Sequence, residues 1–82
     1  MVEYQVMLKR HQGSSRPDVC IFRDENRDAA LRAMRNYGKT YGFCVADPDG
    51  RHTIADIVLI EKEPIHGAPV LSTRSYWELF DD

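Results

Sequence analysis

Residues 24–38 read D-E-N-R-D-A-A-L-R-A-M-R-N-Y-G, and in this stretch the hydrophobic pattern of the chain becomes helical. Apolar side chains recur at helical spacing, at Ala30, Ala33, Met34 and Tyr37. Charged and polar residues fill other positions, which predicts an amphipathic helix of about three and a half turns. Asp24 is the expected N-cap of this helix. Gly38 is the expected residue after its last turn, in the left-handed conformation that glycine adopts without strain.

The residues before the helix predict a β-hairpin. Residues 2–10 alternate between two sets of side chains, and one set is apolar, namely Val2, Tyr4, Val6 and Leu8. A period of two is typical of a half-buried strand. Turn-forming residues gather at 11–18, and a second strand is expected at 19–22. We expect these two strands to pair antiparallel.

The residues after the helix predict two further strands and a short terminal helix. One strand is expected at 41–46, and the D-P-D-G turn at 47–50 separates it from a longer strand at 52–61. A loop is expected to follow the longer strand. Ser75 and Glu78 have the spacing of a capping box, which predicts a short helix at the C-terminus.

Together these elements predict an α+β protein of two layers. The expected topology is ββαββ, with a mainly antiparallel four-stranded sheet, one principal helix on one face and a short C-terminal helix. Hydrophobic residues make up 43% of the chain and charged residues 29%, as is usual for a folded domain. We expect residues 1–82 to form a single small domain, with 73–82 as a docking or lid tail.

Charge and cysteine content restrict the function and the compartment. The net charge of −2 gives no overall basic signal for nucleic acid. Because the sequence contains neither a membrane-spanning stretch nor a signal peptide pattern at its start, a cytoplasmic location is expected. Cys20 and Cys44 form no disulfide or metal motif, and we expect both to be reduced thiols buried in strands.

The stretch K-T-Y-G-F-C-V-A at 39–46 resembles the octamer of the RNA-recognition motif. Four residues fit that pattern, namely Lys39, Tyr41, Gly42 and Phe43, whereas Thr40, Cys44 and Ala46 do not. Tyr41 and Phe43 would project from one face of a strand and could stack on unpaired bases. In the family the octamer lies on the second strand after the first helix, whereas here it follows the helix directly. The first strand also lacks a second aromatic motif, so we do not assign the family and expect Tyr41 and Phe43 in the core.

The strand expected at 52–61 is apolar on both faces. One face carries Thr53, Ala55, Ile57 and Leu59, and the other carries Ile54, Asp56, Val58 and Ile60. A single helix covers only one face of a sheet, so the second face requires the aromatic tail, a second copy of the chain or a protein partner. The candidate partner-binding residues are therefore Tyr76, Trp77, Phe80, Val58 and Ile60.

The alternative function is binding of single-stranded nucleic acid. Its candidate residues are Arg32, Arg35, Lys39, Tyr41 and Phe43. The three basic residues recur at helical spacing and could contact phosphates, but acids share the same helix, which favours a solvated helix face.

The sequence contains no motif that predicts catalysis, a cofactor or a metal. Its histidines and cysteines lack the spacing of zinc ligands, and its glycines form no phosphate-binding loop. We therefore expect neither an enzyme nor a cofactor or metal site. The predicted function is a non-enzymatic protein-interaction module of unknown process, with a protein partner or a homodimer bound through an apolar sheet face or the tail.

Overall fold

The computed structural model describes residues 1–10, 17–41 and 54–80, and the side chains of these residues other than 41, 54 and 55. In chain order the elements are β1 (Glu3–Arg10), β2 (Val19–Asp24), α1 (Arg27–Tyr41), β3 (Ile54–Lys62), β4 (Val70–Ser75) and α2 (Tyr76–Leu79).

The four strands form one antiparallel sheet in the order β2-β1-β3-β4. The helix α1 packs on one face of this sheet, against β1, β2 and β3. These findings confirm the predicted α+β fold of two layers. Each strand pair contains one register shift, and the residues left without a partner are Ile21, Ala55 and Leu71. Such bulges increase the local twist of a sheet.

One of the four strands of the described sheet is not the strand that was predicted. The predicted strand at 41–46 is wrong at its first residue, because Tyr41 is the last residue of α1. The rest of that prediction lies outside the described residues. The fourth strand of the described sheet is β4, which the sequence analysis assigned to a loop and the tail. Its sequence V-L-S-T-R-S has no clear alternation, and its strand conformation comes from pairing with β3.

The N-terminus of α1 is capped by Asn26 rather than by Asp24. The Asn26 Oδ1 accepts hydrogen bonds from the backbone N–H groups of Asp28 (2.9 Å) and Ala29 (3.2 Å), as an N-cap side chain does. Asp24 ends β2 instead, and its Oδ1 accepts a hydrogen bond from the N–H of Asn26 at 2.8 Å. The predicted helix start is therefore early, and Asp24 forms the turn that leads into the cap.

Gly38 lies inside α1 and does not terminate it. The prediction that it follows the last turn is wrong, because the helix continues to Tyr41. Gly38 is instead needed for a close approach: a Cβ atom built on it would lie 2.5 Å from Cε2 and 2.8 Å from Cζ of Tyr76. Only a residue without a side chain allows the Tyr76 ring to pack this closely on the helix.

The hydrophobic core lies between α1 and the sheet. It consists of Val6, Leu8, Ala30, Met34, Ile57, Leu59 and Tyr76. Partly buried side chains surround it, namely Tyr4, Ile21, Phe22, Leu31, Tyr37, Leu79 and Phe80. The alternation of β1 and the helical period of α1 were thus predicted correctly, since Val6, Leu8, Ala30 and Met34 are all buried.

The loop that joins β3 to β4 contains a tight turn at 65–68. The N–H of Ala68 donates to the carbonyl of Ile65 at 3.0 Å, and Gly67, the third residue of the turn, has a φ of 81°. A positive φ at this position is the signature of a type II turn, which favours glycine there. The turn places Ile65 and His66 at the end of the sheet next to Lys62.

Candidate protein-interaction surface

The aromatic tail packs on the same face of the sheet as α1. Tyr76 belongs to the core, and Leu79 and Phe80 pack against it. The Tyr76 and Phe80 ring centroids are 4.8 Å apart, and the Arg35 guanidinium lies 5.3 Å from the Phe80 centroid. These three tail residues enlarge the helical layer rather than covering the second face of the sheet.

Two polar contacts fix the start of α2. The Ser75 side chain accepts a hydrogen bond from the N–H of Glu78 at 3.3 Å, which confirms the predicted cap. The Asp56 carboxylate accepts backbone hydrogen bonds from Ile57 (2.8 Å) and from Tyr76. Desolvation raises the pKa of Asp56, although these hydrogen bonds oppose the shift. The tail is therefore attached to β3 as well as to the core.

Burial separates the candidate partner-binding residues into two groups. Tyr76 and Val58 are each 5% exposed, and Ile60 is 9% exposed, so these three offer little area to a partner. Phe80 is partly buried. Trp77 is 59% exposed, and its ring forms a T-shaped pair with the ring of its neighbour Tyr76, with centroids 5.3 Å apart. Of the five residues, Trp77 is the one with a large accessible surface.

Two further exposed apolar residues lie close to Trp77 in the chain. Val70 is 50% exposed and Leu71 is 56% exposed, and both belong to β4. Among the described residues, β4 is an edge strand, because only β3 pairs with it. Neither residue was predicted to be exposed on a strand, because both were expected in a loop. The signal was a pair of large apolar residues between a turn and a helix cap.

The β4 edge carries few of the charges that protect an exposed strand. Its only charged residue is Arg74, whose Nη1 lies 3.4 Å from Oε2 of Glu78. The opposite edge, β2, ends in Arg23 and Asp24. Charged side chains on an edge discourage pairing with another strand. Of the two edges, β4 is thus the one with the weaker protection.

The structure describes four of the five candidate nucleic-acid residues, and all four belong to α1. Arg32 and Lys39 are exposed on α1, while Arg35 is half-buried beside Phe80. Tyr41 is helical, so its expected place on one strand face with Phe43 is wrong. Phe43 lies outside the described residues. The nucleic-acid alternative stays a prediction that rests on the basic residues of α1.

The second face of the sheet carries a polar depression that the sequence analysis did not identify. Its volume is about 210 Å³, and it is lined by Glu3, Gln5, Arg23, Lys62, Pro64, Ile65 and His66. No sequence motif marks it, because its residues come from three strands and one turn. The register of the sheet, which places Arg23 opposite Gln5 and Lys62 opposite Glu3, creates it.

The remaining reactive groups form no metal-binding cluster in the described part of the chain. Cys20 lies in β2 as predicted but is exposed, so its expected burial is wrong; in the described sheet β2 is an edge strand with a neighbour on one side only. Cys44 lies outside the described residues. Across residues 1–10, 17–41 and 54–80, no three His, Cys, Asp or Glu side chains are placed to hold a metal ion. Neither described helix has the length and apolar character needed to cross a membrane.

Comparison with known proteins gives no relative for this chain. No protein family, no curated protein and no solved structure matches it.

Proposed function

We propose that this protein is a non-enzymatic interaction module that pairs through the edge strand β4, with a second copy of the chain as its partner. The observation that supports the proposal is the exposed apolar surface of Val70, Leu71 and Trp77, along and just beyond a strand at the edge of the described sheet. An edge strand offers unpaired backbone groups to another strand, and exposed apolar side chains add affinity to that pairing.

The side chains of β4 are compatible with antiparallel pairing of two copies. When the strand pairs with itself about its midpoint, Leu71 lies opposite Arg74 of the second copy, and Ser72 lies opposite Thr73. No two like charges are then directly opposed, which is a condition for stable cross-strand pairs. The hydrocarbon stem of Arg74 can also cover part of the Leu71 side chain. The result would be a continuous sheet across the dimer.

The experiment is sedimentation equilibrium of the wild-type protein over a wide range of concentration. The proposal expects a reversible monomer–dimer equilibrium. The substitution Leu71→Lys introduces a charge at the paired edge and is expected to raise the dimer dissociation constant about tenfold or more. Circular dichroism of the variant establishes that the monomer is still folded.

The control is Val19→Lys, which makes the same kind of change on the opposite edge strand. Val19 is 37% exposed, so lysine is tolerated there, and dimerisation should be unchanged. A wild-type protein that stays monomeric at every concentration contradicts the proposal. An equal effect of Leu71→Lys and Val19→Lys contradicts the assignment of the interface to β4.

A further inference from the structure

The second face of the sheet contains two cationic side chains with unused hydrogen-bond donors. Arg23 on β2 and Lys62 on β3 lie on either side of β1, because they are paired with Gln5 and Glu3 respectively. Residues paired across strands share a face, and so do Glu3 and Gln5, which are two positions apart. The four side chains therefore line the same depression.

The arrangement of the hydrogen bonds determines which donors are free. The Nε of Arg23 lies 2.8 Å from Oε1 of Glu3, and the Gln5 side-chain amide donates to the same oxygen at 2.9 Å. Glu3 is thus engaged, and its side chain is only 13% exposed. The terminal guanidinium nitrogens of Arg23 and the side-chain Nζ of Lys62 make no hydrogen bond with a described residue.

The wall of the depression combines a polar and an apolar group. The turn at the end of β3 supplies His66, whose ring can donate a hydrogen bond, and Ile65, which is 61% exposed. The volume of about 210 Å³ is below the range typical of drug-sized ligands, so the site fits a smaller molecule.

We propose that this depression binds a small organic carboxylate. The carboxylate oxygens would accept hydrogen bonds from Lys62 and from the free edge of Arg23, and Glu3 would hold the guanidinium in position. The short hydrocarbon part of the ligand would lie against Ile65. The ligand is either a free acid of a few carbon atoms or the side chain of an acidic residue in an extended peptide, since both present the same group.

The test is a ligand titration in which two-dimensional NMR records the backbone amide signals. Sodium succinate represents the free acid, and a blocked tripeptide with a central glutamate represents the peptide. The proposal expects saturable shifts at Arg23, Lys62 and His66, with a dissociation constant on the order of 1 mM for at least one probe. Whichever probe binds more tightly identifies the source of the carboxylate.

Matched variants separate a defined site from general attraction of anions. Lys62→Gln is expected to weaken binding about tenfold, because it removes a charged donor. Lys39→Gln removes the same charge from an exposed position on α1, on the other face of the sheet, and should leave binding unchanged. The proposal is overturned if the shifts do not saturate, if sodium chloride or inorganic phosphate reproduces them, or if both variants weaken binding equally. Because the site is on the sheet face and not on the β4 edge, its result is independent of the dimerisation experiment.

Discussion

Gly38 lies directly against the ring of Tyr76, and this contact joins the principal helix to the C-terminal tail. A Cβ atom at Gly38 would lie 2.5 Å from Cε2, 2.8 Å from Cζ and 3.0 Å from the hydroxyl oxygen of Tyr76. Separations below 3.0 Å require one of the two groups to move. Tyr76 is 5% exposed and hydrogen-bonded through its backbone to Asp56, so its ring has little freedom to do so.

The first prediction is that Gly38→Ala destabilises the protein although alanine favours helices. Overpacking typically costs about 1–3 kcal/mol, whereas the gain in helix propensity is about 1 kcal/mol. We expect a net loss of up to about 2 kcal/mol in the free energy of unfolding, measured by urea denaturation.

The control for this prediction is Asn36→Ala, at an exposed position of the same helix. It should be neutral or slightly stabilising, because only propensity changes. In a Tyr76→Leu background, Gly38→Ala should cost less than in the wild type, since the clash is with the ring. An equal cost in both backgrounds would show that the ring is not the cause.

Gly67 provides a second prediction in which the same substitution acts by another mechanism. A Cβ at Gly67 would meet no atom within 4 Å, but its φ is 81°. We expect Gly67→Ala to cost about 1–2 kcal/mol through backbone strain alone. Gly67→Asn should cost less, because asparagine tolerates the left-handed region. If asparagine and alanine destabilise equally in urea denaturation, steric strain at φ is not the reason.

The third prediction concerns the cap of α1. Because Asn26 Oδ1 accepts the N–H groups of Asp28 and Ala29, Asn26→Ala should reduce stability by about 1 kcal/mol. Asn26→Ser retains an acceptor oxygen and should stay within a few tenths of wild type. Thermal unfolding followed by circular dichroism measures both. A loss with serine as large as with alanine would contradict a capping role.

The fourth prediction is a pH dependence from Asp56. Burial raises the pKa of Asp56 in the folded protein, so the folded state binds this proton more tightly than the unfolded state. The contribution of Asp56 to the stability of the fold is therefore most favourable in acid. It is lost as the pH rises from about 4 through the pKa that Asp56 has in the folded protein. Asp56→Asn should remove this pH dependence. As the pH rises from acid, the free energy of unfolding of the variant should therefore increase relative to that of the wild type. Asp56→Ala loses both hydrogen bonds and should be destabilised at every pH.

Asp18 is predicted to give the opposite pH dependence. The N–H of Arg10 donates to its Oδ1 at 2.8 Å, and Lys9 Nζ lies 3.2 Å from its Oδ2. These two contacts lower the pKa of Asp18 below 3.8, and the hydrogen bond from Arg10 has the larger effect. Its contribution to stability is present above that value and lost as the pH falls through the folded pKa. Asp18→Asn should therefore flatten the acid limb of the stability curve, while Asp56→Asn should steepen it. If both variants change the slope of the acid limb in the same direction, the opposite pKa shifts assigned to Asp18 and Asp56 are contradicted.

The sequence predicted those elements whose signal is local. The alternation of β1 placed Val6 and Leu8 in the core, and the capping spacing of Ser75 and Glu78 located α2. The candidate surface was predicted only in part, because Trp77 is exposed but Val58, Ile60 and Tyr76 are buried. The exposure of Val70 and Leu71 on an edge strand was not predicted. Their own sequence pattern does not indicate a strand, and only the pairing of β4 with β3 places them at the edge of the described sheet.

By itself, the sequence determined the fold class, the face of α1 that meets the sheet, and the cap residue that begins α2. Hydrophobic periodicity and side-chain capping act between near neighbours, so they can be read along the chain. Only the tertiary structure decided that Gly38 continues the helix, that β4 completes the described sheet, and that Arg23 and Lys62 face one depression. Each of these features depends on contacts between residues that are distant in the chain, such as the contact between Gly38 and Tyr76. No local sequence pattern predicts such a contact.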